Sequence, residues 1–225
     1  MTLRTLLTIW LALLIAAPVF GQGSAQTPVR HTKPFTLTQV WRLDKTYIDS
    51  QHGVTFQYPS IWQAELQFGY IPPALYWLDA PKPIAGFGYK EGPFPRDGIV
   101  GPYSKFNLEG FGIVYAAIPA ADATACEAKA SSMSYTPKLG ITVFGGRPFA
   151  EYETGDGAMS QGNDGKLYST YAQSVCYLFE IDVAQIFSVQ DEYRTLTQTQ
   201  LNFIWGHLKD IMKSVRIEPT EQKPN

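Results

Sequence analysis

Two pairs of carboxylates stand at alternating positions in the chain: Glu151 with Glu153, and Glu180 with Asp182. Residues two apart in a β-strand point to the same side, so each pair places two acids on one surface. Neighbouring carboxyl groups can share general acid and general base work. The same spacing is also typical of the solvated face of an antiparallel sheet, and we expect that arrangement for both pairs.

A serine offers a second candidate chemistry. Ser160 stands in Ala158-Met159-Ser160-Gln161-Gly162, which resembles a nucleophile elbow whose first glycine is replaced by alanine. That elbow requires a strand before the serine and a helix after it. Here Asn163-Asp164-Gly165 follows and predicts a hairpin turn. We therefore expect no nucleophile at this position.

The histidines do not form a ligand set. His31 lies in a polar leader, His52 in a turn and His207 beside an apolar helical face. None has a second ligand at the spacing that metal sites use. The sequence also lacks a glycine-rich phosphate loop, a Cys-x-x-Cys pair and a calcium-loop pattern. We predict no catalytic residue, no metal site and no cofactor.

Residues 68–106 are rich in proline and aromatic side chains. The prolines, which disfavour regular helix and central strand, are Pro72, Pro73, Pro81, Pro83, Pro93, Pro95 and Pro102. Tyrosine and tryptophan dominate interface hot spots. We predict a partner-binding surface formed by Tyr70, Tyr76, Trp77, Tyr89 and Phe94, with Tyr76 or Trp77 and at least one of the others exposed. The alternative is that these rings form a lid packed into the core.

The two cysteines are Cys126 and Cys176. In an oxidising compartment, an even pair without a metal or redox motif favours a disulfide over two free buried thiols. We therefore predict a Cys126–Cys176 bond.

The first residues have the order of a secretory signal peptide. Arg4 precedes an apolar run over residues 6–17, and Pro18 ends that run. A spanning helix needs about 20 apolar residues, which is longer than this run. Cleavage is expected after Gly21 or after Ala25, and the sequence leaves both positions open.

An uncleaved N-terminal anchor is the alternative, because Val19 and Phe20 extend the apolar stretch to the margin of spanning length. No cysteine stands near the cleavage region to accept a lipid, and there is no twin-arginine pair. We expect ordinary secretion, a secreted or periplasmic location and no membrane span after cleavage.

The composition fits one domain. The chain has 225 residues, of which 45% are hydrophobic and 17% are charged, with a formal net charge of −2. A mildly acidic chain has no electrostatic reason to bind nucleic acid or anionic lipid. We assign residues 1–25 to the signal peptide, 26–34 to a flexible leader, 35–218 to a single domain and 219–225 to a polar tail.

The hydrophobic pattern predicts an α+β domain with antiparallel strands. Strands are predicted at residues 35–41, 47–49, 54–58, 75–78, 85–89, 111–118 and 167–183. Residues 215–217 are predicted to close the fold as a short strand or an ordered tail. A hairpin is predicted at 141–154 with its turn at Gly145-Gly146. Helices are predicted at 120–132, carrying Cys126, and after Thr197 and Gln200, which have capping-box spacing.

Two stretches resemble signature positions of the PsbP/Mog1-like superfamily, which includes bacterial secreted PsbP-like proteins. The first joins Tyr47-Ile48-Asp49, residues 53–60 and Trp62, and is similar to the family's opening strand pair. The second, Ile211-Met212-Lys213-Ser214-Val215, is similar to its closing helix and the strand start that follows. Residues 68–106 are longer and richer in proline than the family pattern.

The resemblance implies an antiparallel sheet flanked by helices, as in a PsbP/Mog1-like α/β/α sandwich. It implies that the helix and the late strand that carry the cysteines are neighbours. It also implies a binding or assembly role without catalysis. Our leading hypothesis is a secreted or periplasmic non-enzymatic module that binds a protein or cell-envelope partner through residues 70–103. The alternative is a secreted hydrolase or small-ligand binder with a pocket beneath that segment, which would use the sheet acids or Ser160.

Overall fold

The computed structural model of the protein describes residues 35–67, 72–76, 81–90, 101–158, 160–187 and 193–218, with only the backbone for Tyr76 and Ala158. The helices in these ranges are α1 (Leu37–Trp41), α2 (Ala123–Ser131) and α3 (Gln198–Ser214), and Ala74–Tyr76 forms a 3-10 turn. The strands in these ranges are β1 (Leu43–Asp49), β2 (Val54–Pro59), β3 (Gln63–Ala64), β4 (Ala85–Lys90), β5 (Leu108–Pro119), β6 (Gly140–Phe144), β7 (Arg147–Ala158), β8 (Gln161–Ala172), β9 (Val175–Ile186) and β10 (Arg216–Ile217).

The larger sheet has the order β3-β4-β5-β9-β8-β7-β6, and all neighbouring strands in it are antiparallel. Strand β9 lies at its centre, and every residue from Cys176 to Ile186 is buried. The nearly continuous apolar sequence of β9 is typical of a strand that is covered on both faces. This sheet with its helices confirms the predicted α+β class.

Each face of the sheet has its own hydrophobic cluster. On one face, α2 and the segment at 74–75 pack over Val114, Tyr152 and Leu178. On the other, α1, α3 and a small sheet of order β1-β2-β10 pack over residues such as Phe111 and Phe179. The core of the domain therefore has two layers, one on each side of β9.

Trp62 belongs to the second cluster and is 5% exposed. Its Nε1–H donates to the Val40 carbonyl at 2.9 Å, and its ring packs edge-on against Trp41 and Phe111. The position of Trp62 just after the strand end at Pro59, with the apolar Ile61 beside it, predicts a core residue, and the structure confirms this prediction.

Helix α3 begins and packs as its sequence predicts. Thr197 and Gln200 form a reciprocal capping box, which satisfies backbone N–H groups that a helix leaves open at its start. The buried residues Ile204, Leu208 and Ile211 recur at the spacing of one helical face. The chain then enters β10, which pairs with β2.

The predicted strand at 35–41 is wrong, because residues 37–41 form α1. Thr36 and Gln39 make a second capping box, and this local hydrogen bonding favours a helical turn over an extended chain. Val40 and Trp41 are both buried although they are adjacent. In a strand they would point to opposite faces.

The predicted turn at Asn163-Asp164-Gly165 is also wrong, because these residues lie inside β8, paired with Thr154, Gly155 and Asp156 of β7. The predicted single strand at 167–183 is two strands, β8 and β9. They meet at Gln173 and Ser174, which have φ angles of +52° and +60°. A tight hairpin needs this left-handed backbone, but neither residue is the glycine or asparagine that would announce it.

Three further element predictions are confirmed, and one is wrong at its first residues. The strand at 85–89 is confirmed as β4, the helix at 120–132 as α2 and the hairpin at 141–154 as β6 and β7. The strand predicted at 75–78 is wrong at its first residues, which belong to the 3-10 turn, and residues 77–78 lie outside the described ranges. Within those ranges, no helix has the length and apolar character needed to cross a membrane.

Candidate functional site

Glu180 and Asp182 lie side by side in the interior and are both 0% exposed. The expectation that they line a solvated face is wrong. The two residues do share one side of β9, as their spacing predicts, but that side is covered by the segment at 72–75. Because a hydrophobic cluster covers each face of the sheet at β9, neither face of this strand reaches water. We call Glu180 and Asp182 the acid pair.

The Glu180 carboxylate holds the segment above it. Its Oε1 accepts from the Ala74 backbone N–H at 2.9 Å and from the Thr154 hydroxyl at 2.6 Å, and its Oε2 accepts from the Leu75 N–H at 2.8 Å. We call these three bonds the clamp. They join β9, β7 and the 3-10 turn at a point that is closed to solvent.

Asp182 has fewer hydrogen-bond donors around its carboxyl group than Glu180 has. Its Oδ2 accepts from the Asn163 side-chain amide at 3.3 Å. Its Oδ1 is buried without a hydrogen-bond partner among the described residues. Burying a carboxylate with so few donors disfavours its charged form. Desolvation, followed by the nearby charge of Glu180, holds the pKa of Asp182 well above its ordinary value.

The pKa of Glu180 is also raised, but its hydrogen bonds oppose this rise. Burial raises the pKa of the Glu180 carboxyl, while the bonds from Thr154, Leu75 and Ala74 act against that rise. The hydrogen bonds therefore favour the charged form of Glu180 more than that of Asp182, which has fewer donors.

A glycine gives the acid pair its space. Gly165 of β8 pairs with Asp182 of β9. A Cβ atom at Gly165 would collide with the Thr154 hydroxyl, and it would lie 3.0 Å from Glu180 Oε1 and 3.3 Å from Asp182 Oδ1. The absence of a side chain at 165 thus lets both carboxyl groups and the Thr154 hydroxyl meet above β8.

Asn163 connects the acid pair to the covering segment by a second route. Its amide also donates to the Pro72 carbonyl at 3.1 Å, and its oxygen accepts from the Asp156 N–H at 2.7 Å. Residues 72–75 are therefore held from below by Asn163 at one end and by Glu180 at the other.

The predicted binding residues fall mostly outside the described ranges. This is so for Tyr70, Trp77 and Phe94, and Tyr76 has only its backbone described, at the end of the 3-10 turn. Tyr89 lies on β4, is 5% exposed and stacks on Phe111 at 5.4 Å between ring centroids. The ring of Tyr89 is thus part of the core, and its contact with a partner stays a prediction that would require the ring to become exposed.

The other candidate groups do not join the acid pair. Glu151 points away from Thr154 on β7 and accepts from Lys166 at 2.9 Å and from Thr142 at 2.8 Å. Ser160 lies at the turn into β8, so strand follows it where an elbow requires helix.

The two histidines in the described ranges also have separate surroundings. His52 contacts Asp49 at 2.7 Å, and His207 stacks on Trp41 at 4.9 Å between ring centroids. Among the described residues, no cluster of three or more His, Cys, Asp or Glu side chains is placed to hold a metal ion.

Two clefts open on other parts of the surface. One, of about 300 Å³, lies between the turn at Gly145-Gly146 and residues 215–218. The second, of about 470 Å³, lies between β1, β2 and the end of α3. Neither cleft contains the acid pair.

The predicted disulfide is present. Cys126 of α2 is bonded to Cys176 of β9, with their Cα atoms 5.1 Å apart. It ties the covering helix to the central strand a few residues from the acid pair. Disulfides persist in oxidising compartments, so this bond supports a location outside the cytoplasm.

Sequence reasoning missed Thr154 and Asn163. Thr154 carries no signal beyond its strand position. Asn-Asp-Gly is a common turn sequence and predicts a turn at Asn163. In the structure the Asn163 amide instead donates to Asp182 and to the Pro72 carbonyl in the interior. The alternation of Glu180 with Asp182 did identify the pair, but it could not tell which side of the strand was covered.

No protein-family model matches the chain, and no curated protein matches it either. Among solved structures, a protein from Bacteroides thetaiotaomicron superposes over 81% of this chain and 51% of its own, with 10% identity and a TM-score of 0.42. This chain thus spans about half the length of that protein. LpqN of Mycobacterium tuberculosis, described as involved in cell envelope biogenesis, superposes over 84% of this chain and 100% of its own, with 10% identity and a TM-score of 0.37. Both similarities are too distant to carry a function to this chain.

Proposed function

We propose that the protein is an exported, non-enzymatic binding or assembly module whose partner surface is the proline- and aromatic-rich segment held above the acid pair. The observation that carries the proposal is the clamp. A carboxylate buried in an apolar interior is costly unless donors surround it, and two of the three donors to Glu180 are backbone N–H groups of residues 74 and 75. The side chain thus fixes the position of a loop.

The position of the clamp within the segment supports a recognition role. Residues 72–75 lie between Tyr70 on one side and Tyr76 and Trp77 on the other. Fixing the middle of a loop reduces the conformational entropy that its flanking rings lose when they bind a partner. A buried lid alone could be held by apolar packing, which Leu75 already provides at 0% exposure.

The family that we propose is the PsbP/Mog1-like superfamily, over residues 35–218. Its two signature stretches come together in space, because the Gln57 backbone N–H donates to the Ser214 hydroxyl at 2.8 Å. Arg216 and Ile217, which follow the second stretch, pair with Thr55 and Val54. A binding or assembly role agrees with this family. The signal peptide over residues 1–25 and the secreted or periplasmic location belong to the same proposal, and the disulfide supports them.

Capture of partners by the mature domain tests the proposed function. Wild-type protein and a Trp77→Ser variant are immobilised and exposed to the envelope fraction of the source cells. We expect Trp77→Ser to lose the captured partners while its melting temperature stays within a few degrees of wild type. Tyr135→Ser is the matched control, since Tyr135 is a tyrosine outside the segment and is 62% exposed. Equal capture by all three proteins would contradict the proposal.

A second variant tests the clamp itself. Thr154→Val keeps the shape of the side chain and removes the hydroxyl that donates to Glu180. If the clamp positions the binding segment, capture should weaken while the domain remains folded. Unchanged capture by Thr154→Val would show that the clamp does not position the binding surface.

A further inference from the structure

Strand β6 forms an edge of the larger sheet, at the opposite end from β3. Ile141 and Val143 of this strand are 65% and 63% exposed, and Leu139 just before it is 51% exposed. Ile141 and Val143 are two positions apart in β6, so their side chains lie on the same face of the sheet. Leu139 precedes the strand, and its N–H donates to the Glu151 carbonyl at 2.8 Å. Large apolar side chains in a row at a strand edge are typical of an interaction surface.

The backbone of the same residues is also open. Gly145 and Gly146 form a two-residue turn with φ angles of +57° and +80°. In such a hairpin the closing pair, Phe144 with Arg147, is hydrogen-bonded, and the next pair, Val143 with Pro148, is not. Pro148 has no N–H to give, which agrees with this pattern.

It follows that the N–H and C=O groups of Ile141 and Val143 point away from β7. No backbone bond from either residue to another described element is present. Both side chains and both peptide groups at these two positions are therefore available to a neighbouring strand.

The edge carries none of the features that discourage strand pairing. Residues 139–146 include no charged side chain and no proline, whereas natural edges are usually guarded by lysine, proline or a bulge. Strand β1, at the edge of the small sheet, carries Asp44 and Lys45. An ideal Cβ atom at Gly140 would meet nothing within 4 Å among the described residues, so the face of the sheet is open at that position.

We propose that β6 pairs with β6 of a second copy of this chain, in an antiparallel dimer with its two-fold axis at Thr142. The position of the axis follows from the outward-pointing N–H and C=O groups, which belong to Ile141 and Val143. A two-fold axis at Thr142, between them, places Ile141 of each copy opposite Val143 of the other. Each of these two pairs exchanges two N–H···O bonds.

A second copy fits this edge because the edge is self-complementary. An isologous contact requires a patch to match itself, and an uncharged strand brings no like charges together. The apolar rows of the two copies become adjacent on one face, and two threonines face each other at the axis, a favourable cross-strand pair. The interface is small compared with the roughly 1,200 Å² or more of standard complexes, so the dimer should be weak and concentration-dependent.

The register predicts a specific cross-link. Thr142 and its symmetry mate form a non-hydrogen-bonded pair, whose Cα atoms lie about 4.5 Å apart, within the range that a disulfide bridges. Thr142→Cys should therefore give a covalent dimer on a non-reducing gel after mild oxidation. Val143→Cys is the control, because in this register its nearest copy of itself is beyond the limit of about 7 Å.

Sedimentation provides a test that does not depend on a cysteine. Wild type should shift from monomer to dimer with increasing concentration, and Ile141→Lys should raise the dissociation constant about tenfold or more by placing a charge on the edge. Ile48→Lys, at a 67% exposed isoleucine of β1, should leave it unchanged. A wild-type monomer at all concentrations, equal cross-linking of the two cysteine variants, or an equal effect of both lysines would overturn the proposal.

Discussion

At the level of single residues, the acid pair shows how strongly the surroundings decide the chemistry of a side chain. Glu180 and Asp182 have the same kind of group, the same strand and the same burial, but Glu180 accepts three hydrogen bonds and Asp182 accepts one from a side chain. The donors make the charge of Glu180 tolerable. Burial and the nearby charge of Glu180 raise the pKa of Asp182 well above the ordinary value, so Asp182 avoids its charge by keeping its proton.

This difference predicts a pH-dependent stability. An acid whose pKa is raised in the folded state stabilises the fold while it is protonated. That contribution is complete below the unfolded pKa of about 3.9 and is lost as the pH rises through the folded pKa. We expect the melting temperature to fall from pH 4 towards pH 8, and Asp182→Asn to reduce this fall and to stabilise the protein by about 1–3 kcal/mol at pH 8.

Thermal melts of wild type and Asp182→Asn across that pH range check the prediction. Glu127→Gln is the control, because it removes a carboxylate of a surface ion pair with Lys138, a kind of pair that contributes about 1 kcal/mol or less. Parallel curves for wild type and Asp182→Asn would show that Asp182 does not titrate between pH 4 and pH 8.

At the level of elements, α2 depends on its disulfide. The helix has nine residues, and Cys126 and Ala130 are its buried positions. An isolated helix of fewer than about 12 residues is marginal in water, and alanine and cysteine bury little apolar area. The bond to Cys176 supplies a fixed attachment to β9 that the packing of α2 alone provides weakly.

The disulfide should therefore carry a large part of the stability. It closes a loop with a sequence separation of 50, for which chain entropy gives at most about 4 kcal/mol. We expect the double variant Cys126→Ala with Cys176→Ala to lose a substantial fraction of this value in urea unfolding. Thiol titration of the unfolded, unreduced wild type should find no free thiol. Two titratable thiols, or unchanged stability of the double variant, would contradict the prediction.

At the level of the whole molecule, the disulfide links folding to the proposed export. The disulfide pairs residues from distant parts of the sequence, and the central strand is the last long strand of the sheet to be made. The two cysteines therefore remain apart until most of the domain has left the ribosome. An oxidising compartment is where such a bond persists, which agrees with the signal peptide that we propose.

Export predicts a defined mature protein. The chain expressed with its full N-terminus should be recovered outside the cytoplasm with Gln22 or Gln26 as its first residue, because the small residues suited to cleavage are Gly21 and Ala25. Intact mass measurement distinguishes the two. Leu13→Arg, which places a charge in the apolar run, should block both cleavage and export. Recovery of a membrane-bound protein that keeps Met1 would instead support the uncleaved anchor.

Features that depend on local pattern could be predicted from the sequence. The capping box and apolar face of α3, the hairpin turn at Gly145-Gly146 and the cysteine pair each follow from residues whose types carry the signal directly. The core position of Trp62 follows from its neighbours in the same way. Because these signals are local, tertiary packing had little to add to them.

Tertiary structure alone decided the burial of Glu180 and Asp182 and the tight turn at Gln173-Ser174. Alternation fixes which residues share a side of a strand, but the side that is covered depends on what packs there, and the cover comes from residues 72–75, about a hundred positions earlier. The turn is imposed by the pairing of β8 with β9 along their whole length. Long-range contacts of this kind leave no trace in the local sequence, so the clamp could be found only after the chain had folded over it.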